Sequence, residues 1–124
     1  MKDNKHVILY VDDDQDMLDS LRIVLEANDY TMEEANSGED GLRRYKEVNP
    51  DLVIVDLMME EVDAGTTLVK ELRVLGNQAP VYMLSSVGDQ LNLNADYGEL
   101  GLTGVFQKPI RFETLLATLA SKLG

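Results

Sequence analysis

The chain contains no cysteine. That excludes disulfides, zinc–thiolate centres and cysteine nucleophiles, and it permits a reducing compartment. No apolar run approaches the roughly 18 residues that a membrane-spanning helix needs, and the opening MKDNKH has no signal-peptide hydrophobic stretch behind it. The expectation is a soluble, cytoplasmic protein without a membrane partner. Basic residues are scarce: 11 Lys and Arg against 23 Asp and Glu give a net charge of -12. Such a balance opposes direct binding to nucleic acid or to an anionic membrane surface. The one basic cluster, Arg43, Arg44 and Lys46, is interleaved with Glu39, Asp40 and Glu47 and reads as a solvated helix face. Low-complexity linkers and solenoid-period repeats are also missing.

What is present is enough for one core. A length of 124 residues with 44% hydrophobic content fits a single domain over residues 1–124 and leaves no room for a second. Short β-like runs alternate with amphipathic stretches of helix length about five times, the pattern of an α/β domain with a parallel sheet. HVILYV (His6 to Val11) and LVIVD (Leu52 to Asp56) are continuous apolar runs, as expected for strands covered on both faces. YTMEEA (Tyr30 to Ala35) contains two glutamates and suits an edge. VYML (Val81 to Leu84) behind Pro80 and GVFQ (Gly104 to Gln107) complete five strands.

The helices differ in clarity. Asp14 is a candidate N-cap with Asp16 in the first turn, followed at helical spacing by Met17, Leu21, Val24, Leu25 and Asn28, with Leu18 widening the stripe. A helix from about Gly38 to Lys46 is expected to bury Leu42 and Tyr45, and one from Thr66 to Leu75 to bury Leu68, Leu72 and Leu75. Phe112, Leu115, Leu116, Leu119, Ala120 and Leu123 mark the last helix. Between Gly88 and Gly101 the chain is rich in glycine and carries Asn92 and Asn94. Gly98 alone costs roughly 1 kcal/mol in a helix interior, so any helix there should be short or frayed.

Three polar pieces each follow an apolar run: Asp12, Asp13 and Asp14 after Val11, Asp56 after Val55, and Lys108 after Phe106 and Gln107. Each therefore belongs at the C-terminal end of a strand. In an open parallel sheet those ends share one edge, and ligands bind in the crevice there. Carboxylates gathered without a cation repel, and some have to stay protonated. A hard divalent ion removes the conflict, and Mg²⁺ accepts one or two carboxylates together with waters and phosphate oxygens. Lys108 would then supply a point charge for a phosphoryl group. Asp14 is expected to cap a helix rather than bind metal, and Glu60, Glu61 and Asp63 to be solvated loop acids. Met58 and Met59 read as packing residues by side chain. His6, the single histidine, begins the first strand far from this edge, so no phosphohistidine or metal role is expected of it.

These residues resemble the receiver domain of bacterial two-component response regulators. The likeness rests on four strings in order, ILYVDDD, PDLVIVDLMM, PVYMLSS and QKP, and covers nearly the whole chain. It implies a doubly wound (βα)₅ flavodoxin-like sandwich with a five-stranded parallel sheet in the order 2-1-3-4-5. It further implies that Asp56 is the phosphoacceptor and that Asp12 and Asp13 hold Mg²⁺ directly or through water, with Asp56 and the backbone carbonyl of Met58 as further ligands. Ser85 would hydrogen-bond the phosphoryl group and Lys108 would pair with it, while the small Ser86 keeps the pocket open. Metal and lysine together would neutralise charge on the equatorial oxygens, which phosphoryl transfer to a carboxylate requires. The implied partners are a sensor histidine kinase or phosphotransfer protein upstream and a downstream protein of unknown identity. With no effector after Gly124, a stand-alone, chemotaxis-regulator-like switch is expected.

The chain departs from the family pattern in two places. The loop after Asp56 reads MEEVDAG, with Glu60 where the family has proline and Ala64 ahead of Gly65. Three positions before Lys108, where the family has a switching tyrosine or phenylalanine, stands Val105, and Phe106 falls on the opposite face by strand alternation. Two other functions compete. A metal-dependent phosphohydrolase would use the same carboxylates and lysine but wants a DxD nucleophile motif and a cap domain, and neither is evident. A receiver-like binding module that works without phosphorylation is favoured by the altered loop and lost ring, and opposed by the intact Asp12, Asp13, Asp56, Ser85 and Lys108. The leading expectation is a signalling switch that catalyses only its own phosphorylation and dephosphorylation, not a metabolic enzyme.

Overall fold

A computed structural model describes residues 5–56, 64–85 and 102–123. The elements run β1 (Val7–Val11), α1 (Gln15–Ala27), β2 (Thr31–Ala35), α2 (Gly38–Val48), β3 (Leu52–Asp56), α3 (Ala64–Val74), β4 (Val81–Ser85), β5 (Gly104–Gln107) and α4 (Phe112–Leu123). All strand pairs are parallel and the order is β2-β1-β3-β4-β5. This is the expected doubly wound architecture. β2 lies at the edge that its two glutamates suggested, and the apolar runs β1, β3 and β4 are fully buried.

Strand alternation divides the core into two layers. Leu9, Val11, Val53, Val55, Val81 and Met83 face Leu68, Val69 and Leu72 of α3, with Leu42 and Tyr45 of α2 packed alongside. On the other face Ile8, Tyr10, Leu52, Ile54, Tyr82, Leu84 and Phe106 meet Leu18, Leu21 and Leu25 of α1 and Leu115 and Leu119 of α4. Helices on both faces thus hide strands that carry apolar side chains in both directions. The β2 glutamates follow the same alternation. Glu34 accepts from Arg22 of α1 at 2.7 Å, and Glu33 pairs with Arg44 of α2. Arg43 pairs with Asp40 and Glu47, so the arginines of the basic cluster are held by carboxylates.

Local signals set the helix starts. Asp14 caps α1, its side chain accepting from Asp16 N and Met17 N, and Ser37 caps α2 by accepting from Asp40 N at 3.0 Å. Several packing expectations need correction. Leu75 is 49% exposed, past the end of α3, and Val69 takes the buried place instead. Leu42 and Tyr45 are only half-buried, because α2 meets the sheet most closely through Gly41. A Cβ there would stand 2.9 Å from Val11 Cγ2 and 3.0 Å from Leu68 Cδ2, so only glycine permits this approach. Asn28 is exposed and ends α1, and in α4 Phe112 and Ala120 are exposed while Leu115 and Leu119 carry the burial. The expected helix in 88–101, the loop residues Met58, Met59, Glu60, Glu61 and Asp63, and Ser86 lie outside the described residues.

Candidate functional site

The C-terminal edge of the sheet collects the singled-out polar residues because the strands are parallel and in register. Val11 pairs with Val55 and Asp56 with Leu84, which sets the residues after β1 beside the end of β3. Ser85 is opposite Gln107, and Lys108 N donates to Ser85 O at 2.7 Å, so the lysine follows directly from the β4–β5 ladder. The peptide bond from Lys108 to Pro109 is cis.

Asp12 and Asp56 are buried acids, 0% and 2% exposed, while Asp13 is exposed. One carboxylate oxygen from each of Asp12, Asp13 and Asp56 lies within 4.8 Å of the others, a spacing suited to a shared cation. Hard oxygen donors of this kind suit Mg²⁺ or Ca²⁺ rather than soft metals. Lys108 Nζ stands 2.8 Å from Asp56 Oδ1. Burial pushes the Asp56 carboxyl up to about 6, against the pull of Lys108 and with the help of the Asp12 charge. Burial draws the Lys108 ammonium down, but Asp56, Asp12 and Asp14 outweigh it and leave the group raised. The pocket therefore carries uncompensated negative charge. Its donor set and its electrostatics both fit a divalent cation.

The hydroxyl of Ser85 is buried and finds no hydrogen-bond partner among the described residues. A desolvated hydroxyl without a partner is uncommon, and a ligand oxygen would satisfy it. Val105 is half-buried against the α2/α3 layer, whereas Phe106 is in the opposite layer and stacks on Tyr82 at a centroid distance of 5.0 Å. The two side chains point oppositely, as alternation requires. His6 is at the other end of β1, with Nδ1 3.7 Å from Asp51 Oδ2. Asp14 is a helix cap here. The expected Met58 carbonyl ligand lies outside the described residues.

One participant escaped the sequence reading. Tyr10 is fully buried, and its hydroxyl donates to Asp12 Oδ2, while Asp14 N donates to Asp12 Oδ1 at 2.9 Å. The signal was available: Tyr10 and Asp12 are two apart in β geometry and so project to the same side.

A family model, the response regulator receiver domain, matches residues 8–120. The chemotaxis protein CheY of Bacillus subtilis is 33% identical over 119 residues, covering 95% of this chain and 98% of that protein. The response regulator MprA of Mycobacterium leprae is 33% identical over 116 residues, covering 94% of this chain. Here the chain spans about half the length of its relative, 50%. Among solved structures, a putative response regulator from Chloroflexus aurantiacus superposes with a TM-score of 0.85 at 31% identity, covering 97% of this chain and 98% of that one. The chemotaxis response regulator CheY4 of Vibrio cholerae gives a TM-score of 0.85 at 28% identity, covering 97% and 100%. Strand order, the acidic edge with its lysine, and these likenesses agree: the chain belongs to the response regulator receiver domain family.

Proposed function

We propose that this receiver is a cytoplasmic phosphorylation switch that takes a phosphoryl group from the phosphohistidine of a histidine kinase or phosphotransfer protein onto Asp56. The observation that carries this reading is Asp56 itself: a buried carboxylate at the sheet edge, 2.8 Å from Lys108 and grouped with Asp12 and Asp13. With its pKa at about 6, Asp56 is mostly ionised near neutral pH and can act as nucleophile. An Asp56 oxygen lone pair forms the new P–O bond as the P–N bond breaks. The imidazole nitrogen keeps that electron pair and takes a proton. Lys108 supplies positive charge to the transferred group, and Ser85 offers its unpartnered hydroxyl to a phosphoryl oxygen. A Mg²⁺ held by Asp12, Asp13 and Asp56, with the Met58 carbonyl as a further ligand, would neutralise charge on the equatorial oxygens when bound.

Receiver domains are signalling switches rather than metabolic enzymes, and they act on downstream effectors. A phosphoryl group adds about -1.5 to -2 charges, so Ser85 and Lys108 must rearrange around it. That displacement, passed to a downstream protein, is the output. Intact-mass measurement after incubation with acetyl phosphate and Mg²⁺ tests the assignment. One phosphoryl group is expected, abolished by chelation or by Asp56→Asn. Modification that persists in Asp56→Asn would move the acceptor elsewhere.

A further inference from the structure

We propose that Tyr10 is a positioning residue whose hydroxyl holds Asp12 in place before a divalent cation arrives and lowers the pocket's affinity for that cation. The inference rests on the reading of Asp12, Asp13 and Asp56 as a metal site. Both oxygens of Asp12 are engaged from inside the protein: Oδ2 by the Tyr10 hydroxyl and Oδ1 by Asp14 N. Both Tyr10 and Asp12 are 0% exposed, so water does not compete for either group. A phenol carries its proton at neutral pH and a carboxylate oxygen can only accept, so the Tyr10 hydroxyl is the donor of this bond.

The ring of Tyr10 packs in the α1/α4 layer with Ile8, Leu18 and Ile54, which fixes the direction in which the hydroxyl points. A charge-assisted hydrogen bond to a carboxylate withdraws electron density from it. Asp12 therefore offers less charge to a cation than a free carboxylate would. The same bond stabilises the metal-free pocket, where Asp12 is close to Asp56 and no cation balances them. Deleting the hydroxyl leaves Asp12 Oδ2 buried and unsatisfied until something else binds it. A cation, or a water on a cation, can do so. One of the two restraints on Asp12 remains after the deletion, because Asp14 N still holds Oδ1, so the carboxylate stays at the pocket while its Oδ2 is released. The ion should then bind more tightly.

Isothermal titration of Mg²⁺ into wild type and Tyr10→Phe decides the matter. The variant is expected to bind roughly tenfold more tightly, a difference of about 1.4 kcal/mol. Equal or weaker affinity in Tyr10→Phe overturns the inference while leaving the metal-site reading intact. Absence of Mg²⁺ binding by wild type overturns both. A purely structural effect is separated by repeating the pair in an Asp12→Ala background, where the gain must vanish; a gain that persists there also overturns the proposal. If Tyr10→Phe does not fold, the wild-type protein still answers. Its buried, slowly exchanging hydroxyl proton should give an NMR resonance that shifts on Mg²⁺ addition with the calorimetric midpoint, and an unmoved or missing resonance sinks the idea.

Discussion

Asp56→Asn in the metal-free protein probes the pocket's electrostatics by removing one charge and almost no volume. Burial, opposed by Lys108 and reinforced by Asp12, moves the carboxyl from 3.8 to about 6. Two pK units at about 1.4 kcal/mol each make ionised Asp56 about 3 kcal/mol less favourable in the folded chain than in the unfolded one. That figure already contains the attraction to Lys108. Between pH 3.8 and about 6 the folded state keeps a proton that the unfolded state has lost. The group's contribution to stability is therefore fully present below the unfolded pKa and disappears as pH rises through the folded one. Asparagine has no such dependence. The variant should exceed wild type by about 3 kcal/mol at pH 7.5 and by roughly half of that at pH 5. Urea unfolding with a chelator present measures both, at pH values above the pI of about 4.3, where solubility would suffer. With a slope of roughly 2 kcal/mol per molar urea, the midpoint gap should widen by about 0.7 M between the two pH values. Carboxylates away from the pocket titrate identically in both proteins and cancel, while Asp12, which repels Asp56, is relieved in the variant and shifts the gap in the same direction. Parallel pH profiles would refute the reasoning. If Asp12, Asp13 and Asp56 hold Mg²⁺ as proposed, a saturating concentration should narrow the gap at pH 7.5, because the ion would stabilise wild type by mass action and the variant would lack one ligand.

Two substitutions separate folding from function elsewhere. Ser85→Ala should leave stability unchanged or raise it by up to about 1 kcal/mol, since the lost hydroxyl is buried without a partner among the described residues; the same variant should take up the phosphoryl group more slowly by intact-mass time course, and a marked drop in urea midpoint would show that Oγ has a structural partner. Gly41→Ala should destabilise by roughly 1–3 kcal/mol despite the better helix propensity of alanine, because the new Cβ meets the rigid Val11 side chain at 2.9 Å. A urea midpoint at or above wild type would mean that α2 can lift off the sheet without loss.

Much of the architecture was legible in one dimension because it depends on local periodicity. Continuous apolar runs at β1, β3 and β4 mark strands buried on both faces, and no other placement satisfies side chains that alternate direction yet are all apolar. The two glutamates of β2 mark an edge, where each can reach an arginine on a flanking helix. Asp14 could be told from its neighbours as a cap, since the residue ahead of an amphipathic stretch has free backbone N–H groups to accept from. Asp12, Asp13, Asp56 and Lys108 could be grouped without coordinates, because parallel strands bring every C-terminal end to one edge.

Other features depend on which surfaces meet, and periodicity is silent about that. Leu75 has the spacing of a core residue but falls one residue past α3, so it is exposed and Val69 packs in its stead. Gly41 carries no spacing signal of its own, yet it marks the closest approach of α2 to β1, set by Val11 and Leu68 from distant parts of the chain. Tyr10 read only as one more apolar strand residue. Its hydroxyl became a partner of Asp12 through burial, which removed the water that would otherwise have satisfied both groups. The charge state of Asp56 is likewise tertiary: it follows from desolvation and from Lys108 and Asp12, which only the folded sheet brings beside it. Residue type and spacing determined which groups gather at the edge, whereas packing decided how dry they are, and dryness sets the strength of every charge and hydrogen bond among them.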